Sequence, residues 1–316
     1  MSDVTVTIVG TGVIGTSLGL ALKQLEPAPF VIGHDKELPL ARGAARLGAF
    51  DKVEWNLINA CEPADLIVLA IPLSGVEPTL EAIGPELKED AVVTDTVRLK
   101  GPVIELARRH LPQSVHFVGG DPIVTTPGSG YAHARADLFR NGIYCLTPEV
   151  DTHQDAVALV EDLARQVGAN PFYLDAAEHD GLVSSVDHLP MVLSAALMRV
   201  ASASDAWRES RKLAGATFLQ ATAGVGDDPV ALQEALLLDK ENILHWIDNY
   251  AAELESLRQL IAAEDREALA DVLDKTVVER EKWVTDFRNQ DFTDPELKTA
   301  EVEKRGFMRR LIGIGR

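Results

Sequence analysis

The segment FVGGDPIV, residues 117–124, ends an apolar run with two glycines, an aspartate and a proline. This order predicts a buried strand that holds Asp121 at the mouth of a sheet. A carboxylate there could act as a catalytic acid or base, act as a charge clamp, or remain from a site that has changed its function. Aspartate, with an ordinary pKa of about 4, is a weaker base at pH 7 than histidine.

A second group of residues predicts a nucleotide site. Gly10, Gly12 and Gly15 in VTIVGTGVIGTS form a G-x-G-x-x-G pattern between a predicted strand and a predicted helix. In that context the glycines allow a tight turn, a close approach of a pyrophosphate and close packing of helix on strand. Asp35 ends the second predicted strand, where a carboxylate binds the ribose hydroxyls and repels a 2′-phosphate. NAD is therefore favoured, and the neighbouring Lys36 leaves NADP open.

The candidate cofactor-binding residues also include neighbours of the glycines and residues that follow two further strands. The full set is Gly10, Gly12, Val13, Ile14, Gly15, Asp35, Ile71, Pro72 and Asp95.

The elements around these residues predict two domains in the 316 residues. Apolar runs without alternation, separated by amphipathic helical segments, indicate an α/β domain with a Rossmann-type, doubly wound parallel sheet over residues 1–175. Long helical patterns follow over 176–290, with apolar faces too extensive for one small bundle. They predict an all-helical dimerisation domain, and residues 291–316 form a basic C-terminal tail.

Composition narrows the class of protein. A formal net charge of −19 argues against nucleic acid or an anionic membrane as partner. The longest apolar runs, such as LIVLAIPL, have the length of strands and not the ~20 residues of a membrane span. Cys61 and Cys145 have no metal-ligand spacing, which predicts no metal site and a reduced, cytoplasmic location.

The order of motifs resembles that of the prephenate/arogenate dehydrogenase family of tyrosine biosynthesis. The matching segments are GTGVIGTSLGLAL, ADLIVLAIP, VVTDTVRLK, FVGGDPIV, AEHDGLVSSVDHLP and LLLDKENIL. The resemblance implies an NAD(P)-binding domain, a helical dimerisation domain and oxidative decarboxylation of a cyclohexadienol.

Several positions to which this resemblance assigns chemistry carry other residues here. Asp121 stands where the family typically has a histidine that acts on the ring hydroxyl, and Arg98 replaces a serine near that hydroxyl. Ala223 replaces an arginine that binds the side-chain carboxylate of the substrate. The remaining polar positions carry Met191 for a histidine, Asp187 for a serine, Leu232 for a tryptophan, and an unchanged His188.

The candidate catalytic residues are therefore Asp121, His188 and Arg98. Arg98 either neutralises Asp121 or binds the substrate, and His188 is either structural or catalytic. Pro190 predicts a kink beside His188, because proline cannot donate to the preceding turn. His179 and Asp180 could cap the start of that helix.

Three functions fit these residues. The first is an NAD-dependent oxidoreductase acting on prephenate, arogenate or a close relative. The second is a dehydrogenase or reductase on the same scaffold that acts on another small substrate. The third is a nucleotide-binding sensor or regulatory protein without redox turnover. The expected partners are a small-molecule substrate that is a carboxylate and a second copy of the chain, in a homodimer.

Overall fold

The computed structural model describes residues 4–126, 128–226 and 229–289. The chain forms two compact units, of which the first runs to His179 and the second begins at Asp180. The predicted basic tail, residues 291–316, lies outside the described residues.

One sheet organises the first unit. Its described strands follow the order β3-β2-β1-β4-β5-β6-β7-β8. The strands are β1 (Thr5–Val9), β2 (Phe30–His34), β3 (Lys52–Val53), β4 (Leu66–Leu69), β5 (Val92–Asp95), β6 (His116–Ile123), β7 (Ile143–Thr147) and β8 (Asn170–Tyr173). From β3 to β6 all neighbouring strands are parallel, and the chain order reverses between β1 and β4. The predicted doubly wound α/β fold is confirmed.

Helices pack on both faces of this sheet. They are α1 (Val13–Leu22), α2 (Leu38–Arg46), α3 (Leu57–Cys61), α4 (Leu73–Ile83), α5 (Gly101–His110) and α6 (Gln154–Gln166). Successive residues of β1 enter different cores: Ile8 packs with Leu18 and Leu22, and Val9 packs with Ile67 and Leu80. Because side chains alternate along a strand, burial of both explains why these strands are continuously apolar.

The pairing of β7 departs from a wholly parallel sheet. β6 and β7 are antiparallel, with Asp121 opposite Cys145, whereas β7 and β8 are parallel. Parallel neighbours require a long crossover, usually a helix. Between β6 and β7 the described residues contain one short 3-10 turn, Tyr131–His133, so the chain returns in the opposite direction.

The second unit is helical, as predicted. Its elements are the end of α7 (Ala176–Val183), α8 (Leu189–Ser202), α9 (Trp207–Ser210), α10 (Ala216–Ala221), α11 (Pro229–Leu238), α12 (Lys240–Ala262) and α13 (Arg266–Asn289). Large apolar side chains remain exposed on α8, α11 and α12, among them Leu197, Val200, Leu237 and Ile261.

A π-helical turn, Ser184–His188, joins α7 to α8. It lies directly before Pro190, where the sequence predicts a kink. Together the three segments form one helix, Ala176–Ser202, which by length and composition alone could cross a membrane. The apolar runs of the sequence do not predict a segment of membrane-spanning length here, because polar residues interrupt the apolar pattern of this helix. Length and composition are weak evidence for a membrane span, since the core helices of soluble proteins share them.

Candidate functional site

The turn between β1 and α1 has the geometry that the glycine pattern predicts. Gly10 has φ +96°, and a Cβ on it would lie 2.2 Å from the carbonyl oxygen of Ala70. A Cβ on Gly15 would lie 2.0 Å from the oxygen of Gly10. A Cβ on Gly12 would meet nothing within 4 Å. Gly10 and Gly15 therefore serve packing, whereas Gly12 leaves open space at the start of α1, where helix N–H groups can bind phosphate.

Asp35 follows β2 and holds the glycine loop. Its Oδ2 accepts hydrogen bonds of 2.8 Å from both the backbone N–H and the hydroxyl of Thr11. Its Oδ1 accepts from the N–H of Glu37 at 2.9 Å. Asp35 thus fixes the middle of the G-x-G segment, and its predicted contact with ribose hydroxyls stays a prediction.

The remaining candidate cofactor residues follow neighbouring strands. Val13 and Ile14 begin α1, and Ile71 and Pro72 lie between β4 and α4. These residues and the glycines surround the carboxyl ends of β1 and β4, where the strand order reverses. Crevices at such a reversal are where open α/β sheets bind nucleotides.

Asp95, at the end of β5, is fully buried and both of its oxygens bind protein groups. Oδ1 accepts from the N–H of Gly120 at 3.1 Å, and Oδ2 accepts from the N–H of Val97 at 2.9 Å. Lys100 Nζ donates to the same Oδ2 at 2.5 Å and to the carbonyl oxygen of Gly120 at 2.6 Å. Asp95 therefore supports β6 through Gly120, and its predicted contact with the cofactor stays a prediction.

Asp121 lies inside β6 and not beyond its end, so the predicted position at the mouth of the sheet is shifted. The two glycines before it are required by close packing. A Cβ on Gly119 would lie 2.3 Å from Thr147 Oγ1, and one on Gly120 would lie 2.8 Å from the oxygen of Asp95. The glycine pair lets β6 pass close to β5 and β7, and this carries Asp121 to a buried place.

Arg98 and His179 share one oxygen of Asp121. Arg98 Nη1 donates to Oδ2 at 3.0 Å, and His179 Nε2 lies 3.3 Å from the same atom. The structure thus brings together two of the three candidate catalytic residues. His179 is in the first turn of α7, and Asp175 caps this helix by accepting from the N–H of Ala177. The alternative that His179 is a helix cap is therefore wrong.

The charge state of Asp121 follows from opposing effects. Burial raises the pKa of the carboxyl group, whereas the hydrogen bond with His179 and the charges of Arg98 and Lys100 lower it. The stabilising contacts outweigh burial, so the pKa of Asp121 lies below its ordinary value. An ionised carboxylate with a lowered pKa is a poor acceptor for the proton of an alcohol.

His188 belongs to the second unit, where its partner is Asp239. Nδ1 of His188 lies 2.9 Å from Asp239 Oδ2, and both side chains are buried. Asp239 Oδ1 accepts from the side-chain amide of Asn242 at 2.8 Å. A carboxylate on Nδ1 holds the imidazole in one orientation and favours the tautomer whose Nε2 can accept a proton. Ser184, one turn earlier, is fully buried, and its hydroxyl has no partner among the described residues.

The substituted position Ala223 lies in a short 3-10 turn, Ala223–Val225, that packs on α8. A Cβ on Gly224 would lie 2.7 Å from Ser194 Oγ, which itself donates to the oxygen of Ala221 at 2.8 Å. The nearest preceding arginine, Arg211, is exposed at the end of α9.

Comparison with known proteins agrees with this architecture. The family model "Prephenate dehydrogenase, nucleotide-binding domain" matches residues 18–173, and "Prephenate dehydrogenase, dimerization domain" matches residues 175–275. The prephenate dehydrogenase of Lactococcus lactis is 30% identical over 270 residues, which cover 84% of this chain and 73% of the relative. The chain belongs to the prephenate dehydrogenase family.

Solved structures of the family have the same fold. Prephenate dehydrogenase from A. aeolicus in complex with hydroxyphenyl propionate and NAD+ is 27% identical, with a TM-score of 0.82 over 89% of this chain and 99% of that one. Synechocystis arogenate dehydrogenase is 26% identical, with a TM-score of 0.76 over 88% and 99%. Family membership confirms the resemblance that the sequence motifs indicate, and with it a nucleotide-binding dehydrogenase scaffold.

Sequence reasoning missed Lys100 and His179 as parts of the site. In the sequence nothing distinguishes Lys100 from a surface lysine, yet its side chain is fully buried. His179 lies 58 residues from Asp121 along the chain. The adjacent HD pair of the AEHD segment is the one signal that could have drawn attention to it.

We expect Lys100→Met to destabilise the protein by about 3–5 kcal/mol, because it leaves Asp95 buried without its cation. The double variant Lys100→Met/Asp95→Asn should lose less stability, since no unpaired charge remains. Urea unfolding followed by circular dichroism measures both. Lys88→Met is the control, because its partly exposed pair with Asp65 at 2.8 Å should contribute only about 0–1 kcal/mol. A Lys100→Met protein as stable as the control would contradict the supporting role of this pair.

Proposed function

We propose that this protein is an NAD-dependent dehydrogenase of the prephenate dehydrogenase type whose hydroxy substrate carries a carboxylate and differs from prephenate. The observation that carries the proposal is the buried, ion-paired Asp121 at the position where the family resemblance implies a histidine. The nucleotide-binding fold and the open Gly12 support the use of NAD.

Oxidation of an alcohol needs an acceptor for the hydroxyl proton while the carbon-bound hydride leaves. NAD, when bound, supplies the hydride acceptor. The lowered pKa of Asp121 makes this carboxylate unsuitable as the proton acceptor. His188, held by Asp239 through Nδ1, is better suited, because the carboxylate stabilises the imidazolium that forms. We therefore assign general-base chemistry to His188 and a binding or positioning role to Asp121 and Arg98.

Prephenate itself should be a slow substrate. Prephenate carries two carboxylates, and Ala223 stands where the family resemblance implies the arginine that binds one of them. We expect kcat/KM for prephenate below ~10⁴ M⁻¹s⁻¹, the lower end for typical enzymes. His188→Asn should reduce the remaining rate by about 10²–10⁴-fold.

The test is the rate of NADH formation with prephenate and with arogenate, in protein that is shown to bind NADH. It measures both the low kcat/KM and the effect of His188→Asn. Turnover of prephenate in the usual range would contradict the altered substrate. An unchanged rate in His188→Asn would contradict the assigned base.

NAD should bind at least about tenfold more tightly than NADP, because the carboxylate of Asp35 at the end of β2, where we expect the ribose, would repel a 2′-phosphate. Asp35→Asn should narrow this difference while keeping an acceptor for Thr11. Fluorescence titration with NADH and NADPH measures both proteins. Tighter binding of NADPH by the wild-type protein would mean that the charge of Lys36 outweighs that of Asp35.

The second unit supports a homodimer. It matches the family's dimerisation domain, and its helices expose apolar residues such as Leu197 and Val200. Helix Ala176–Ser202 also carries the buried His188, which has a buried carboxylate as partner. This fits a helix inside a protein assembly better than a helix in lipid. The two free, buried cysteines fit the cytoplasmic location expected from the sequence.

Light scattering at micromolar concentration should give about twice the chain mass of 34.2 kDa. Leu197→Glu/Val200→Glu should shift the mass toward that of the monomer, because two charges on an apolar contact must be desolvated. Leu40→Glu, at an exposed leucine of the first unit, is the control and should leave the mass unchanged. A wild-type mass near 34.2 kDa would rule out the dimer.

A further inference from the structure

The three side chains around Asp121 differ in what a ligand can reach. The side chains of Asp121 and His179 are each 1% exposed, whereas that of Arg98 is 39% exposed. A small molecule entering from solvent would therefore meet the guanidinium before it met the carboxylate or the imidazole.

The guanidinium of Arg98 is also held in place by its counterion. Asp121, which accepts its Nη1–H at 3.0 Å, is fixed in β6 opposite Cys145. The preceding Gly120 is held through both its N–H and its carbonyl by Asp95 and Lys100. His179 contacts the same oxygen of Asp121 and limits rotation of the carboxylate. A cation whose counterion is fixed in this way loses less conformational freedom when it binds a ligand than a mobile surface arginine does.

We propose that Arg98 binds the carboxylate of the substrate, and that Asp121 and His179 position Arg98. The assignment rests on the proposed function for the presence of a substrate and adds the residue and chemical group that recognise it. A guanidinium is planar and carries its N–H donors in a rigid fork. Its geometry matches a carboxylate, which it can bind through two parallel hydrogen bonds.

The overall charge of the chain strengthens the need for such a group. At −19, the protein repels anions in general, so an anionic substrate requires a local cation. Lys100 is a second cation near Asp121, but its side chain is fully buried and ion-paired with Asp95. Within this cluster, Arg98 is the cation that solvent can reach.

The test compares an acid with its neutral analogue. Calorimetry in the presence of NAD+ measures the affinity of hydroxyphenyl propionate and of its methyl ester for each protein. We expect the wild-type protein to prefer the acid and Arg98→Gln to weaken binding of the acid by about 10- to 100-fold, with little change for the ester. Arg109→Gln is the matched control, because Arg109 is an exposed arginine of α5 that pairs with Glu77 at the same 3.0 Å.

Arg98→Gln leaves Asp121 buried with one counterion fewer and could destabilise the fold. Arg98→Gln/Asp121→Asn removes both charges together and should show the same loss of preference for the acid. Thermal unfolding verifies that each variant is folded. The assignment is overturned if the wild-type protein shows no preference for the acid, if the preference persists in both Arg98 variants, or if Arg109→Gln loses it as well. These outcomes concern binding alone, so they are separate from a failure to form NADH.

Discussion

The arrangement of the candidate site depends on one buried ion pair. Lys100 and Asp95 are both inaccessible to solvent, and between them they bind the N–H and the carbonyl oxygen of Gly120. A charged pair in this position is costly to desolvate and is tolerated only when further hydrogen bonds satisfy it. Lys100 and Asp95 bond to each other, and the backbone groups of Gly120 and Val97 provide the further hydrogen bonds. Burial raises the pKa of Asp95, and the charge of Lys100 opposes that shift.

Because Gly120 is fixed, its neighbour Asp121 has little freedom. The cluster of Asp121, Arg98 and His179 is therefore built outward from the interior of the protein and not assembled from flexible surface groups. The negative charge is placed deepest and the positive charge nearest to solvent. The fold is that of the family. Asp121 and Arg98, however, place charges where the motif comparison implies a histidine and a serine. Because function depends on sites that a fold carries, the altered substrate that we propose would not require a new scaffold.

Local patterns in the sequence predict the parts of the structure that depend on local geometry. Gly10, Gly12 and Gly15 could be assigned separate tasks, because steric demand at a tight turn follows from residue type and spacing alone. The strand direction of β7 could not be recognised from its apolar run, since buried parallel and antiparallel strands have the same composition. The absence of a helical pattern between β6 and β7 was the available signal, because a parallel pair would need a crossover.

The site itself was only partly predictable. Asp121 and Arg98 could be identified because each departs from a recognisable motif. His179 and Lys100 become relevant only through contacts across 58 and 20 residues of chain, and such contacts have no local signature. The burial of Lys100 in particular contradicts the usual expectation for a lysine, which is seldom buried unless it is paired.

The π-helical turn at Ser184–His188 also determines how the helix that follows is rotated about its axis. Such a turn accommodates one more residue than an α-helical turn, and each residue of an α-helix advances the chain by about 100° around its axis. The side chains of α8 are therefore rotated about that axis relative to a continuation of α7 without the extra residue. His188, the last residue of the turn, contacts the buried Asp239 through Nδ1 at 2.9 Å. The one extra residue in this turn thus decides which face α8 presents.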